Sequence, residues 1–353
     1  MMNNSTYCGI DVGGANTKYV VLSCVSNKEF NTLELKSHYF PFWERKAEFP
    51  EFIKDLIQNI EDKYPGTEFG CTITAELSDS FETKRDGIKF IVHSITKACA
   101  NIPQFYSTSG QFFTPDDAVD LWIKTAASNW HATARIVGRF SPDTLLVDIG
   151  STTTDLIRIF QSKPCPVGLT DTKRLQTGEL VYVGALRTNV AALATELLID
   201  GIPTQTSSEF FACMGDVLRV LGMIKSQEYS IPTPDGRSNS IDYCMARIAR
   251  VVCSDVNLLS PDQIVNLAKQ LFQRASERIK MAVERQIGSG LPWPPKEIVL
   301  TGVGAKIFDQ EVIQKVDSRL VYLSDILGVK EAENAPAFSI AVLLEEWMKR
   351  ENH

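Results

Sequence analysis

Asp148, Gly150, Ser151, Thr152, Thr153 and Thr154 stand together in VDIGSTTTDLI (147–157), which a second acid, Asp155, closes. A carboxylate at the end of an apolar strand, followed by small and hydroxyl-bearing residues, can serve phosphate chemistry. Successive backbone N–H groups in a tight loop cradle phosphate oxygens, and hydroxyls add further donors. Alone, the stretch reads equally as a strand, a turn and a Ser/Thr-rich cap. A second copy tips the balance. Residues 10–20 read IDVGGANTKYV, and with the acids aligned Asp11 matches Asp148, Gly13 matches Gly150, Gly14 matches Ser151 and Thr17 matches Thr154, at an offset of 137 residues (148 − 11). Two such loops, each bounded by apolar strands on both sides, indicate an internal repeat.

In the first copy Gly13 and Gly14 permit close backbone approach, Asn16 adds a side-chain donor, and Lys18 adds a positive charge. Asp11 and Asp148 are placed to hold a hydrated Mg²⁺, a hard cation that prefers oxygen ligands. The copies differ where Lys18 stands in the place of Asp155. Lys18 is read as a phosphate ligand, the alternative being a solvated strand residue. Asp155 is read as a carboxylate that orients a nucleophile or a metal-bound water, the alternative being a cap on a backbone N–H. Gly302 and Gly304 in VLTGVGA form a third candidate ligand-edge turn, or a plain strand-to-helix turn.

The elements that must position these loops follow from periodicity. Residues 6–25 read as a hairpin around the first loop, 47–64 as an amphipathic helix and EFGCTITAEL as a strand entering a loop. DGIKFIVHSITKACA begins as another strand, 115–130 reads as one helix capped by acids, and 144–160 holds the second strand–loop–strand unit. Residues 207–224 and 242–254 read as helices. LSPDQIVNLAKQ and its continuation form a long helix with Ser260 as cap and Pro261 at its first position. PKEIVLTGVGA is a strand into a Gly-containing loop, RLVYLSDILG a short strand into a turn, and PAFSIAVLLEEWMKRENH a terminal helix.

The 353 residues suffice for two domains, read as 1–140, with the helix 336–353 packed on it, and 141–335 carrying a helical insertion. With 44% hydrophobic and 22% charged residues the chain is of globular type. A net charge of −7 argues against a general nucleic-acid binder. The start of the chain lacks a basic region followed by an apolar core, no apolar run is long enough to span a membrane, and a cytoplasmic location is expected. The eight cysteines form no CxxC pair and are read as buried reduced thiols, Cys8, Cys71 and Cys253 among them.

The paired loops and the later TGVG resemble the superfamily of actin, sugar kinases and Hsp70 chaperones. That resemblance implies an α/β fold of two actin-like domains, with duplicated strand–loop–strand units binding phosphates in an interdomain cleft. A closer resemblance is carried by IDVGGANTKY, TITAELSDSFETKRDGI, AASNWHATAR, VDIGSTTTDLI, TGELVYVGALRTNV, CMGDV and MARIARVVCSD in that order. They resemble the hydantoinase/oxoprolinase-related branch of proteins linked to tetrahydromethanopterin-dependent C1 transfer. The resemblance runs over most of residues 8–350, and one departure is His131, where an apolar residue is expected. In methanogens this family includes an enzyme of methanofuran biosynthesis. It joins an aminomethylfuran-methyl diphosphate to the phenol of a glutamyl-tyramine and releases diphosphate. Methylotrophic bacteria carry relatives.

The residue chemistry suits that transferase reaction. Metal and cationic donors neutralise a leaving diphosphate. Glu76 or Asp79 could stabilise a furanylmethyl cation or take the phenol proton, and Arg187 could clamp a phosphate or the glutamyl carboxylate. Glu179 is a second candidate base or a structural hydrogen-bond partner in TGELVYVG. His131 reads as an interior histidine rather than a base, Trp122 and Trp130 as core packing on one helix rather than an aromatic substrate box, and Arg247 and Arg250 as facing the cleft or as a solvated or salt-bridged face. Asp216 and Asp255 are cleft carboxylates or helix caps. The expected partners are therefore small molecules, a diphosphate ester and a tyramine- or tyrosine-based phenol, with Mg²⁺ as cofactor. The alternative is an ATP-dependent kinase or ATP-driven amidohydrolase, with Asp155 as base and ATP in the loops.

Overall fold

The computed structural model describes residues 5–26, 29–288, 295–313 and 318–351. Two compact units are formed, one from Met1–Asp143, Ile159–Arg174 and Leu323–His353, the other from Thr144–Arg158 and Leu175–Tyr322. Among the described residues no helix is long and apolar enough to cross a membrane.

The first unit is built on a six-stranded sheet. Its strands are β1 (Thr6–Val12), β2 (Asn16–Ser26), β3 (Glu29–Tyr39), β4 (Glu68–Ile73), β5 (Gln104–Tyr106) and β6 (Phe112–Phe113), in the order β3-β2-β1-β4-β5-β6. β1, β2 and β3 pair antiparallel, whereas β1, β4 and β5 run parallel. β1 is buried on both faces, as a central parallel strand requires. Its Cys8, Ile10 and Val12 pack with Ile53, Ile57, Ile88 and Ile91, from the helices Phe49–Lys63 and Lys84–Ala98. Tyr7 faces the other way, toward the helix Ala335–Glu351 and its Ile340, Ala341 and Leu344. Gly9 lies on that second face, where a Cβ would collide with the carbonyl of Ala337 and come within 2.6 Å of the Ala341 nitrogen.

Two expectations are corrected in this unit. Lys84–Ala98 is a helix from its start, not a strand: Thr83 accepts from the N–H of Asp86 as cap, and Ile88, Ile91, Val92 and Ile95 recur at helical spacing on the buried side. Residues 115–130 are not one helix either. Short helices Pro115–Asp120 and Trp122–Thr125 precede Asn129–Val137, with Ala127 at φ +48° between the last two. Trp122 and Trp130 thus stand on different helices. β3 is an element the periodicity reading left out.

The second unit repeats the plan. β7 (Thr144–Ile149), β8 (Thr154–Phe160), β10 (Leu180–Val181), β13 (Glu297–Thr301) and β14 (Arg319–Tyr322) form a sheet of order β10-β8-β7-β13-β14, and β9 (Lys163–Pro164), within the stretch Ile159–Arg174 of the first unit, pairs with Ile159 and Phe160 at the end of β8. β11 (Glu196–Ile199) and β12 (Ile202–Gln205) form a separate hairpin. β7, β13 and β14 are parallel. The long helix Pro261–Gly288 begins with a reciprocal cap: Ser260 N–H donates to Gln263 Oε1 and Gln263 N–H donates to Ser260 Oγ. The expected helices at 207–224 and 242–254 are shorter, Met214–Val220 and Ile241–Arg250. Cys8, Cys71, Cys99, Cys165, Cys213, Cys244 and Cys253 are free thiols; Cys253 is exposed rather than buried, at φ +54° just past the second of these helices.

Gly9→Ala should destabilise the chain by about 1–3 kcal/mol or more, because the added methyl meets helix backbone that has no rotamer with which to yield. A fall in the urea midpoint at unchanged m-value checks this; an unchanged midpoint would contradict the close packing of the terminal helix on β1.

Candidate functional site

The sequence repeat is a structural repeat. Gly13 N–H donates to the Asn16 carbonyl and Gly150 N–H to the Thr153 carbonyl, each at 2.9 Å, so both loops are the same closed turn at the same offset. The parallel neighbour of each first strand is tied in alike. Thr74 N–H donates to Val12 C=O at 2.9 Å and Gly304 N–H to Ile149 C=O at 2.8 Å. Asp11 stands opposite Thr72, and Asp148 opposite Thr301. Both loops therefore emerge at the carboxyl ends of parallel strands, where α/β sheets bind ligands.

In the first unit three motif segments meet at this end. The Thr74 hydroxyl oxygen lies 3.6 Å from where a Gly13 Cβ would stand. The AASNW segment joins through Ala127 N–H to Ile73 C=O and through the buried hydroxyls of Thr72 and Ser128, 2.9 Å apart. Asp11 is buried, with Oδ1 lacking a hydrogen-bond partner. Burial pushes its carboxyl up to about 6, and Lys18, opposite it in the ladder, pulls back only in part. The Lys18 ammonium donates to the Glu333 carbonyl at 2.8 Å. Gly13, Gly14 and Asn16 are half-buried along the loop.

Two residues beyond Thr74 lies Glu76, 1% exposed, with Oε2 unpartnered. Lys84 Nζ is 3.8 Å from its Oε1 and forms its closer ion pair with Asp171. Burial pushes the Glu76 carboxyl up to about 7, against the pull of Lys84. Gly87 abuts the Glu76 backbone, since a Cβ there would lie 2.7 Å from both its Cα and its carbonyl oxygen. Asp79, by contrast, is exposed. Lys84 and Asp171 were not read from the sequence; they stand 87 residues apart, and only the fold unites them.

In the second unit the hydroxyl loop is backed by TGELVYVGALR. The N–H groups of Ala185, Leu186 and Arg187 donate to the carbonyls of Gly150, Ser151 and Ser151. A Cβ on Gly184 would lie 2.5 Å from Thr152 backbone. Thr188 staples the same turn, accepting from Gly184 N–H at 2.8 Å. With its carbonyls engaged behind, the loop leaves Ser151, Thr152 and Thr153 half-buried and Arg187 beside it. Gly302, at φ +86°, lies so close to Asp148 that a Cβ would fall 2.5 Å from its Oδ1. Asp155 stands opposite Leu180 in the ladder of β8 and β10.

The remaining candidates have structural partners. Glu179 is 1% exposed, receives the Thr177 hydroxyl at 2.7 Å and lies 3.7 Å from Arg158. His131 is buried, with Nδ1 2.9 Å from the Tyr106 hydroxyl, and burial lowers it to about 4. Trp130 is buried under the Arg174 guanidinium at 4.1 Å. Arg247 is wholly buried on Asp216 at 2.7 Å and on Asp235 at 2.9 Å, and Arg250 reaches Asp235 at 3.2 Å. Asp216 also accepts from Cys213 N–H as a helix cap, and Asp255 accepts from Asn257 N–H.

The structure thus brings Asp11, Gly13, Gly14, Asn16, Lys18 and Glu76 together in one unit, and Asp148, Ser151, Thr152, Thr153, Asp155, Arg187 and Gly302 in the other. Among the described residues no three His, Cys, Asp or Glu side chains converge as metal ligands.

The model of the hydantoinase/oxoprolinase family matches residues 69–344. The chain belongs to this family. That match starts within β4 and takes in Glu76 and the whole of the second loop cluster. Similarity extends across the first loop as well. Over 344 residues the chain is 32% identical to the (4-{4-[2-(gamma-L-glutamylamino)ethyl]phenoxymethyl}furan-2-yl)methanamine synthase of Methanocaldococcus jannaschii, covering 97% of this chain and 98% of that protein. A protein of the same name from Methanococcus vannielii is 36% identical over 208 residues, 57% of this chain and 90% of that one. Among solved structures, nucleotide-free acetone carboxylase aligns over 96% of this chain and 70% of its own, with a TM-score of 0.55 and 10% identity. Family and topology together give an α/β fold of two units, shared with the acetone carboxylase structure, while the reaction is a separate question.

Because Glu76 is buried with its carboxyl raised from 4.5 to about 7, ionising it opposes folding. The unfolded chain loses that proton first, so this group's contribution to stability falls as pH rises from about 4.5 to about 7 and stays lost above. Glu76→Gln removes this loss, and should stand on the order of 2–3 kcal/mol above the native chain at pH 8 relative to their difference at pH 4. Paired urea titrations at the two pH values check it; a pH-independent difference would place Glu76 in water.

Proposed function

We propose that this protein is a synthase that forms an aryl alkyl ether between a furanylmethyl diphosphate and the phenol of a glutamylated tyramine or tyrosine, releasing diphosphate. The observation that carries the reading is the end-to-end similarity to a synthase whose named product contains a phenoxymethyl-furan ether. The furanylmethyl C–O bond to diphosphate breaks as the phenol oxygen bonds to the same carbon. The phenol proton passes to a carboxylate, for which Glu76 is suited: its free Oε2 is buried and its carboxyl is held near neutrality.

The loops supply the leaving-group side. The turn at Gly13 with Lys18 in the first unit, and in the second unit the turn at Ser151 with the hydroxyls of Ser151, Thr152 and Thr153 and the charge of Arg187, are each suited to phosphate oxygens. A Mg²⁺ ion, when bound, supplies positive charge to the departing diphosphate. Asp11 suits such an ion, since its unpartnered buried oxygen is the kind of ligand a hard cation takes alongside water and phosphate. Asp148, at the matching position of the repeat in the second unit, is proposed as a Mg²⁺ ligand at its own loop. The reaction places the protein in methanofuran-type C1-carrier biosynthesis.

Purified protein given the diphosphate ester, a glutamylated tyramine and Mg²⁺, without nucleotide, should release diphosphate in step with a product of the ether's mass. ADP formed from ATP with a phenolic or amide acceptor, and no ether, would assign the fold's nucleotide chemistry instead. Asp11→Asn and Asp148→Asn should each lower kcat by about 10²-fold or more while the chain stays folded by circular dichroism. Full activity in both would remove the metal assignment. For Lys18→Ala the KM of the diphosphate substrate should rise; unchanged kinetics with lowered stability would leave Lys18 as the tie to Glu333.

A further inference from the structure

We propose that Lys84 and Asp171 are a positioning pair that sets the protonation of Glu76 and keeps one of its oxygens open to a substrate O–H. The inference rests on the assignment of Glu76 as the base. Its ground is the geometry of the trio. A lysine beside a buried carboxylate ordinarily closes on it and holds it ionised and occupied. Here the Lys84 ammonium turns to Asp171 and stays 3.8 Å from Glu76 Oε1, leaving Oε2 without a partner in a site only 1% exposed.

The backbone fixes this arrangement. Lys84 and Asp171 each open a helix, Lys84–Ala98 and Asp171–Thr177. Gly87 sits against the Glu76 backbone, so the first turn of the former helix packs directly on the segment that carries the carboxylate. Other charges nearby are committed elsewhere. Asp86 receives the Thr83 hydroxyl, Lys46 donates to the Ser80 carbonyl at 2.7 Å, and Asp79 is exposed. The charges that act on Glu76 are then Lys84, which lowers its proton affinity, and Asp171, which raises it, both added to the larger effect of burial. One ammonium shared by two carboxylates leaves the buried one able to gain and lose a proton near neutrality.

Two readouts test the pair in the intact chain. One is the titration of the protonated-carboxyl infrared band that Glu76→Gln abolishes, recorded without substrate. The other is the acid limb of kcat/KM for ether formation. Asp171→Asn should move both to lower pH by roughly one unit, and Lys84→Met should move both upward by a similar amount, with Lys84→Arg restoring the native position. Wild-type titration of the band in Asp171→Asn and Lys84→Met would overturn the proposal. Full activity in Glu76→Gln would overturn the base assignment alone, since the infrared shifts report the pair without reference to turnover.

Discussion

Two backbone hydrogen bonds govern the architecture around the loops, Gly13 to Asn16 and its counterpart Gly150 to Thr153. Each closes a turn tight enough to bring the following strand straight back beside the one before it. Each leaves the acid one residue before the last residue of the first strand, Asp11 or Asp148, at the lip of the sheet. The parallel neighbours are fastened at the same rung, by Thr74 to Val12 and by Gly304 to Ile149. Everything proposed for the chemistry follows from that rung. The segments TITAELSD and TGVG arrive next to the loops because the strands carrying them are in register with the strands carrying the acids.

The two copies have been put to different electrostatic use. In the first unit, carboxylates are buried with incomplete compensation: Asp11 has a lysine across the ladder that is itself engaged with Glu333, and Glu76 shares its lysine with Asp171. Both are raised toward neutrality by burial. In the second unit the loop is supported from behind by a run of main-chain donors, so its carbonyls are spoken for. One copy lies beside buried carboxylates, and the other is braced by main-chain hydrogen bonds.

Much of this was legible in the sequence because it is local. Asp11, Gly13 and Asn16 are written within six residues, as are Asp148 to Thr153, and the turn that joins them is a property of those residues. The helix Lys84–Ala98 was misread because IKFIVHSIT is rich in β-branched residues and offers strand-like alternation. The Thr83 and Asp86 cap was the signal that decides otherwise. Trp122 and Trp130 looked like one helical face until a residue at positive φ intervened. Lys84 and Asp171 were out of reach of any local rule. Nothing in either segment announces a partner so far along the chain, and their relation to Glu76 exists only after β4 and two helices have packed.

The buried pair Arg247 and Asp216 bears on how the second unit comes together. Its members lie 31 residues apart, both fully out of water, and the Asp216 carboxylate also caps its own helix, receives Tyr229 and sits beside two thiols. Leaving either member of a buried ion pair without the other is strongly destabilising. Parting the two helices would leave a buried charge unpaired, at a cost of roughly 3–5 kcal/mol, which ties the helix Met214–Val220 to Ile241–Arg250. The former carries Met214 and Gly215, whose N–H groups bind the carbonyls of Thr188 and Leu186, in the turn that backs the hydroxyl loop. The support of the hydroxyl-bearing turn is thereby tied to a buried ion pair, so weakening that pair loosens the turn's main-chain backing as well.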